Sequence, residues 1–355
     1  MHNTPNIFVT GSGILTSVGM NTAMTLASVR AGINTYQESS CINKDLHPVK
    51  IAAIPEGAFE IAEVQGNNPL YQQVRSQRML GIAAKALEEV MSGYALEKPL
   101  PLFLGGPEIK PLNHAVIDAD FISHLVALSG ANIDVQQSRL IATGHPAGIQ
   151  AIELAFRYCQ QTGNKHVLIG GVDSLIDLHA MGVFDSDERM SAYNIADGFV
   201  PGEAAGFLLL STEQGLNDFQ NQAIGRISYP GLASEEGHRY SSTPYLGEGL
   251  ANAVTESLRK FNGPKINTIF SGMNGESFAV KEHGVAMVRN HQALNETLNI
   301  QHPIDCFGDI GAALAPVLIG LGLTGMQMGA YQSPALVYCS AEEEIRAACC
   351  IQSVA

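Results

Sequence analysis

Apolar residues along this chain fall into two kinds of run. Short unbroken blocks read as buried strands, and stretches with apolar residues three and four apart read as amphipathic helices. The first strand covers residues 6–10 and breaks at Gly11 and Gly13, with a helix over 22–31 behind it. A helix over 75–90 turns Leu80, Ile82, Ala83, Ala86, Leu87 and Val90 inward. A strand over 100–104 closes on a glycine pair, followed by a helix over 112–128, a strand over 138–144 and a helix over 146–159. Residues 166–169 form a strand ending at Gly170 and Gly171, and residues 206–211 its buried partner. A second series follows: strand 224–229, helix 247–261, strand 267–272, helix 280–295, an apolar helix over 311–329, and strands 335–340 and 345–352 across Glu342-Glu-Glu344. Alternating strands and helices predict a layered α/β architecture, and the two series suggest a duplicated core.

Local chemistry adds detail. Glu203, in Pro201-Gly-Glu203, reads as a buried acceptor for backbone donors, and Asp173 and Ser174 as turn and cap residues. Glu248 reads as part of a helix N-terminus, and Cys349 and Cys350 as packing residues on opposite faces of a strand. Gly11-x-Gly13 lacks the third glycine of a dinucleotide turn.

Composition narrows the function. The 355 residues are 46% hydrophobic and 15% charged, few enough charges to suggest surface buried in an oligomer. Net charge is −14 and no basic run is present, which excludes nucleic acid as the expected partner. Cys41, Cys159, Cys306, Cys339, Cys349 and Cys350 are scattered, which points to reduced thiols in a cytoplasmic protein. His302, Asp305 and Cys306 have no second ligand pair, so neither a metal nor another cofactor is expected. No signal peptide is visible at residues 1–6. Residues 310–330 are uncharged and long enough to span a bilayer, yet Pro316, several glycines and the lack of flanking Lys or Arg favour a helix buried in a protein core.

The stretch Gly170-Gly-Val-Asp-Ser-Leu-Ile-Asp177, running on to Asn194-Ile-Ala-Asp-Gly-Phe-Val-Pro-Gly-Glu-Ala-Ala-Gly-Phe-Leu-Leu-Leu210, resembles the beta-ketoacyl synthase family of the thiolase superfamily. The resemblance covers nearly the whole chain, including the first strand, Gly19 and the helix over 22–31. It implies a thiolase-like fold, a duplicated five-layer α-β-α-β-α arrangement with halves at 1–215 and 216–355. It also implies a dimer, through the strand near residues 165–169.

Family members condense an acyl group with a malonyl thioester, using a cysteine at a strand-to-helix turn, two histidines and a lysine. The cysteine motif is similar to Ala-Cys-Ser-Ser-Gly-Leu-x-Ala-Ile. Here Gly144-His-Pro-Ala-Gly-Ile-Gln-Ala-Ile152 puts His145 at the nucleophile position. Ser271-Gly-Met-Asn-Gly-Glu276 puts Asn274 at the first histidine, and Ile304-Asp-Cys-Phe-Gly-Asp-Ile-Gly-Ala-Ala313 puts Asp309 at the second and Ile304 at the lysine. Tyr338-Cys-Ser-Ala-Glu-Glu-Glu344 replaces the Gly-Phe-Gly-Gly turn.

Without a nucleophile there is no acyl-enzyme, and an anionic Asp309 would oppose an enolate. Ordinary condensation is therefore not expected. The resemblance then implies a non-condensing homologue that acts as a partner subunit or as a binder of an acyl chain or acyl-carrier protein. The expected partners are a second copy, as a homodimer, or a ketosynthase homologue, as a heterodimer, and acyl-carrier protein or acyl-CoA. Two alternatives stand beside it. One is altered chemistry such as thioester hydrolysis, with His145 a neutral base beside Asp309 and Asn274. The other is a pure assembly scaffold. In the plainer account of His145, it fills the vacated pocket and hydrogen-bonds Asp309.

Overall fold

The structure, a computed structural model, describes residues 6–61, 70–94, 98–112, 114–220 and 222–354. In chain order the elements are β1 (Ile7–Thr16), α1 (Thr22–Arg30), β2 (Gln37–Ile42), β3 (Pro48–Ile51), α2 (Leu70–Met91), β4 (Leu102–Gly105), α3 (Phe121–Ser129), β5 (Arg139–Ile141), α4 (Ala147–Thr162), β6 (His166–Ser174), α5 (Leu178–Ser186) and β7 (Glu203–Thr212). Then come β8 (Gly225–Ile227), β9 (Gly231–Ser234), α6 (Glu248–Phe261), β10 (Ile266–Phe270), α7 (Ser277–Asn290), β11 (Leu294–Gln301), α8 (Ile304–Phe307), α9 (Leu314–Gln327), β12 (Ala335–Ser340) and β13 (Ile345–Gln352).

The strands hydrogen-bond in the order β5-β4-β6-β7-β1-β8-β13-β12-β10-β11, with β9 also on β13. On one side, β5, β4 and β6 are parallel and β7 runs against both β6 and β1. The other side repeats this order: β11, β10 and β12 are parallel, and β13 runs against both β12 and β8. Helices α4 and α9 pack on both sets of strands, α2 covers β1 and β7, and α6 covers β9 and β13. This is the layered thiolase-like arrangement. Helix α9 lies almost wholly in the core, so the uncharged stretch packs against protein, and no described helix is long and apolar enough to cross a membrane.

Several boundaries differ from the sequence pattern, and glycine explains the clearest cases. β1 runs on through Gly11 and Gly13 to Thr16, with a register shift between Val9 and Gly11. β6 likewise runs through Gly170 and Gly171 to Ser174, so Asp173 and Ser174 are buried strand residues, not turn and cap residues. These glycines serve close approach. A Cβ on Gly13 would stand 2.1 Å from the Ala86 carbonyl oxygen in α2, and one on Gly171 would stand 2.1 Å from the Ala312 carbonyl oxygen. A glycine that ends a strand and one that admits a neighbour look alike in sequence.

The predicted helix over 112–128 begins only at Phe121, because Asp118 accepts from the Asp120 amide and holds a turn there. The short β9 and the polar edge strand β11 carry too little apolar pattern to be read. After α1, β2 and β3 pair as an antiparallel hairpin; residues 62–69 lie outside the described residues. The expected dimer strand needs correction. β6 is paired with β4 on one side and β7 on the other, so its backbone groups are already used; the open edge on this side, among the described residues, is β5.

Gly171→Ala should destabilise the fold by about 1–3 kcal/mol or prevent it, since the added methyl runs into the backbone of Ala312 and Ala313. Gly182, exposed in α5 with no atom within 4 Å of where a methyl would sit, is the control: Gly182→Ala should be neutral or up to about 1 kcal/mol stabilising. Chemical denaturation midpoints decide; equal midpoints for the two variants would refute the close-approach account.

Candidate functional site

The segments that follow β4, β5, β10, α8 and β12 meet at one place and carry Glu108, His145, Asn274, Asp309 and Glu342 there. His145 sits between β5 and α4, after Gly144, whose φ of 65° suits glycine. Asp309 follows Gly308, where φ is 73° and a Cβ would come within 2.6 Å of the Val200 carbonyl oxygen. Two backbone bonds fix Asp309 to the strand-entry turn: its amide donates to Val200 (2.8 Å), and its carbonyl accepts from the Gly202 amide (2.8 Å). Pro201-Gly202-Glu203 thus braces the site, and Glu203 is structural, accepting from the Ile54 amide, the Ser174 hydroxyl and Arg78.

The structure brings His145, Asn274 and Asp309 together. His145 Nε2 is 2.6 Å from Asp309 Oδ1, and Asn274 Nδ2 donates to Asp309 Oδ2 at 2.9 Å. The Gly311 amide adds a third bond to Asp309 at 3.0 Å. Asp309 is 2% exposed. Burial alone would lower the His145 pKa, but the charge and hydrogen bond of Asp309, with Glu108 and Glu342 nearby, raise it to about 9. Burial works against ionisation of Asp309, yet His145, Asn274 and the Gly311 amide hold it at about 2. The α4 N-terminus disfavours a cation by roughly 0.3–1 kcal/mol, less than a close buried charge pair contributes. The neutral imidazole expected from the sequence is therefore replaced by an imidazolium.

A wider ionic cluster continues from this trio. Asn274 also donates to Glu276 at 3.0 Å. Glu276 takes both arms of Arg189 at 2.8 Å, and Arg239 at 3.0 Å. Arg189 and Arg239 both reach Glu342 as well, at 2.7 and 3.2 Å. The Arg189 guanidinium also lies 5.3 and 5.4 Å from the centres of the Phe184 and Phe199 rings, which pack edge-on against each other. Glu108, on the loop after β4, accepts from the Glu342 amide at 2.8 Å; burial and the charge of Glu342 raise its pKa to about 8. Sequence pattern gave none of these residues a role. Glu276 and Glu342 lay inside motif segments, whereas Arg189, Arg239 and Glu108 stand in loops with no distinguishing pattern.

Ile304 is buried in the core and lines neither cavity beside His145. Each of those cavities has about 40 Å³ of free volume. That is room for about one water, against several hundred Å³ for a site that encloses a drug-sized ligand. His145 Nδ1 is buried without a hydrogen-bond partner among the described residues, and one water in either space would suit it. His302, Asp305 and Cys306 belong to no group of three metal-ligating residues among those described.

The pair sets a pH signature. A histidine whose pKa rises on folding, here from 6.5 to about 9, stabilises the fold fully below 6.5 and loses that contribution as pH climbs through 9. Glu108, raised from 4.5 to about 8, also makes folding less favourable as pH rises, so the histidine must be isolated by difference. Wild type should lose on the order of 2 kcal/mol more than His145→Gln between pH 6.5 and 9.5 in urea denaturation. Parallel pH profiles would show that His145 is not charged in the fold.

No family model and no curated protein matches the sequence. Solved structures do. One titled "The ishigamide ketosynthase/chain length factor" superposes with a TM-score of 0.79 at 14% identity, covering 99% of this chain and 100% of that one. A type II PKS acyl-carrier protein in complex with its ketosynthase bound to the hexaketide gives 0.77 at 14% identity, covering 99% and 100%. A beta-ketoacyl synthase from Burkholderia phymatum gives 0.73 at 14% identity, again covering 99% and 100%. The chain is built on the ketosynthase fold, in the thiolase-like class that its motifs resemble.

Proposed function

We propose that this chain is a non-condensing ketosynthase homologue that acts as the partner subunit of a ketosynthase homologue. The observation that carries the reading is the closed ion pair of His145 and Asp309 where the resemblance places the nucleophile and a histidine. A condensing site needs a free nucleophile and donors left open for an enolate. Here the Asn274 amide, His145 Nε2 and both arginines are already bound to carboxylates. Two spaces of about 40 Å³ also favour a partner role over enclosing an acyl chain at this site.

The neighbouring structures support the pairing by analogy of fold: one is a ketosynthase/chain length factor, another an acyl-carrier protein in complex with its ketosynthase. The open edge of β5 is where a strand of the partner would add. Under this reading, acyl-carrier protein and acyl-CoA deliver their thioesters to the partner's site. Hydrolysis with His145 as base is the weaker reading, because an imidazolium held by Asp309 has no lone pair to accept a proton.

Thiol release from acetyl-CoA and from malonyl-carrier thioester should be absent in wild type and in His145→Ala. His145→Cys should stay inactive in condensation, because the donors and the volume are missing too; condensation by that variant would overturn the reading. Turnover by wild type that His145→Ala abolishes would establish the hydrolytic alternative. Co-expressed with an intact ketosynthase from the same source, the chain should elute as an equimolar complex in size exclusion with light scattering. Leu140→Pro, which removes an N–H from β5, should release it, and failure of wild type to associate would count against the partner role.

A further inference from the structure

A second polar and apolar site lies at the other end of the sheet. The first site lies at the end of the sheet where Glu108, Asn274 and Glu342 follow β4, β10 and β12, with His145 after β5 and Asp309 after α8. β13 runs against β12, pairing Ser340 with Arg346 and Ala335 with Ile351, so Gln352 stands at the far end. There β8 pairs with the last residues of β13 and the first of β1. A groove of about 500 Å³ opens beside them, within the range of sites that hold small molecules. Phe156, Tyr229, Phe261 and Ile227 give it apolar walls, and Arg226 and Lys260 supply its charge.

Those two cations are unusual for this molecule. The chain carries 34 acidic against 20 basic residues, and its buried or half-buried arginines are otherwise anchored on carboxylates: Arg75 on Asp173, Arg78 on Glu203, Arg189 on Glu276, Arg346 on Glu282. Arg226 instead donates through Nε and Nη2 to a neutral amide oxygen of Gln352, at 3.1 and 2.7 Å. Lys260 donates to the Pro230 carbonyl oxygen at 2.9 Å, with its ammonium 4.5 Å from the centre of the Tyr229 ring. The nearby carboxylates are already engaged: Glu153 by Arg157 at 2.6 Å and by the Tyr229 hydroxyl at 3.0 Å, and Glu256 by Arg259 at 2.8 Å. Neither Arg226 nor Lys260 forms an ion pair among the described residues.

We infer that this groove binds an amphipathic anion, an aromatic or alkyl body ending in a single carboxylate or sulfonate. The aromatic walls take the body out of water, and the head meets a guanidinium with free donors and an ammonium already partly desolvated. A cation of the same shape meets two like charges. An uncharged analogue gives up the charge-assisted bonds, which are the stronger ones. The ligand does not involve His145 or Asp309, so this site stands or falls apart from the proposed function.

The probe is 1-anilinonaphthalene-8-sulfonate, whose fluorescence rises in an apolar site, titrated into the native protein. It should bind one site, be displaced by decanoate, and resist displacement by decyltrimethylammonium at equal concentration. Arg226→Gln and Lys260→Gln should each weaken binding by about tenfold or more, with unchanged melting temperatures. Lys260 is exposed, so its variant keeps the test sound if Arg226→Gln folds poorly. Equal affinity in wild type and Lys260→Gln, or displacement by the cation as readily as by decanoate, would overturn the assignment.

Discussion

The contact between His145 and Asp309 joins residues far apart in the chain, and the site depends on it. His145 enters at the start of α4 and Asp309 at the turn after α8, so one short bond ties a helix of the first strand series to a loop of the second. Each partner also makes the other's charge tenable. An isolated buried carboxylate or imidazolium is costly, and removing one partner of such a pair destabilises by more than the pair itself contributes. That dependence explains why Asp309 collects further donors from Asn274 and Gly311, and why its backbone is tied to Val200 and Gly202.

Close approach of backbones allows the pair to form. Gly202 and Gly308 have no Cβ where one chain segment crosses the other; a Cβ on Gly202 would stand 2.4 Å from the Phe307 carbonyl oxygen. Gly171 admits the backbone at Ala312, next to the Gly311 amide that binds Asp309, while Asp173 reaches the Ala312 amide. Gly148 lets α4 meet Pro316 of α9, which fixes the helix that starts just after His145. Gly148, Gly171, Gly202 and Gly308 therefore set the distances of the polar site through close approach, while the Gly311 amide bonds Asp309 directly.

The sequence revealed the layered fold because strands such as 206–211 are unbroken apolar blocks buried on both faces, while helices such as 75–90 bury one face at helical spacing. The positions of His145, Asn274 and Asp309 were legible only through the resemblance of their segments to the motifs of the beta-ketoacyl synthase family. Their protonation was not, because the charge on His145 depends on Asp309, Glu108 and Glu342, carboxylates remote in sequence that only the fold brings to the imidazole. Arg189 and Arg239 were invisible for a related reason: an arginine in a loop has no pattern until the fold supplies the two carboxylates it bridges. The glycine pairs misled at β1 and β6 because the conformational freedom of glycine and its small size leave the same mark in a sequence.

Under the proposed partner role, the arrangement is that of a stabilised site and not of a catalytic one. Electrostatic catalysis keeps donors oriented but uncommitted, so that charge appearing in the transition state finds them waiting. At this site the carboxylates are present in the resting fold and use the donors before any substrate arrives: Asp309 takes His145 and Asn274, while Glu276 and Glu342 share Arg189 and Arg239. The free donor on His145 Nδ1 borders space for about one water. A substrate would have to break buried ion pairs to gain hydrogen bonds, and each broken pair leaves an unpaired charge that costs roughly 3–5 kcal/mol. Polar density at the end of a sheet is thus no sign of turnover by itself; the deciding feature is whether its donors are free or already used.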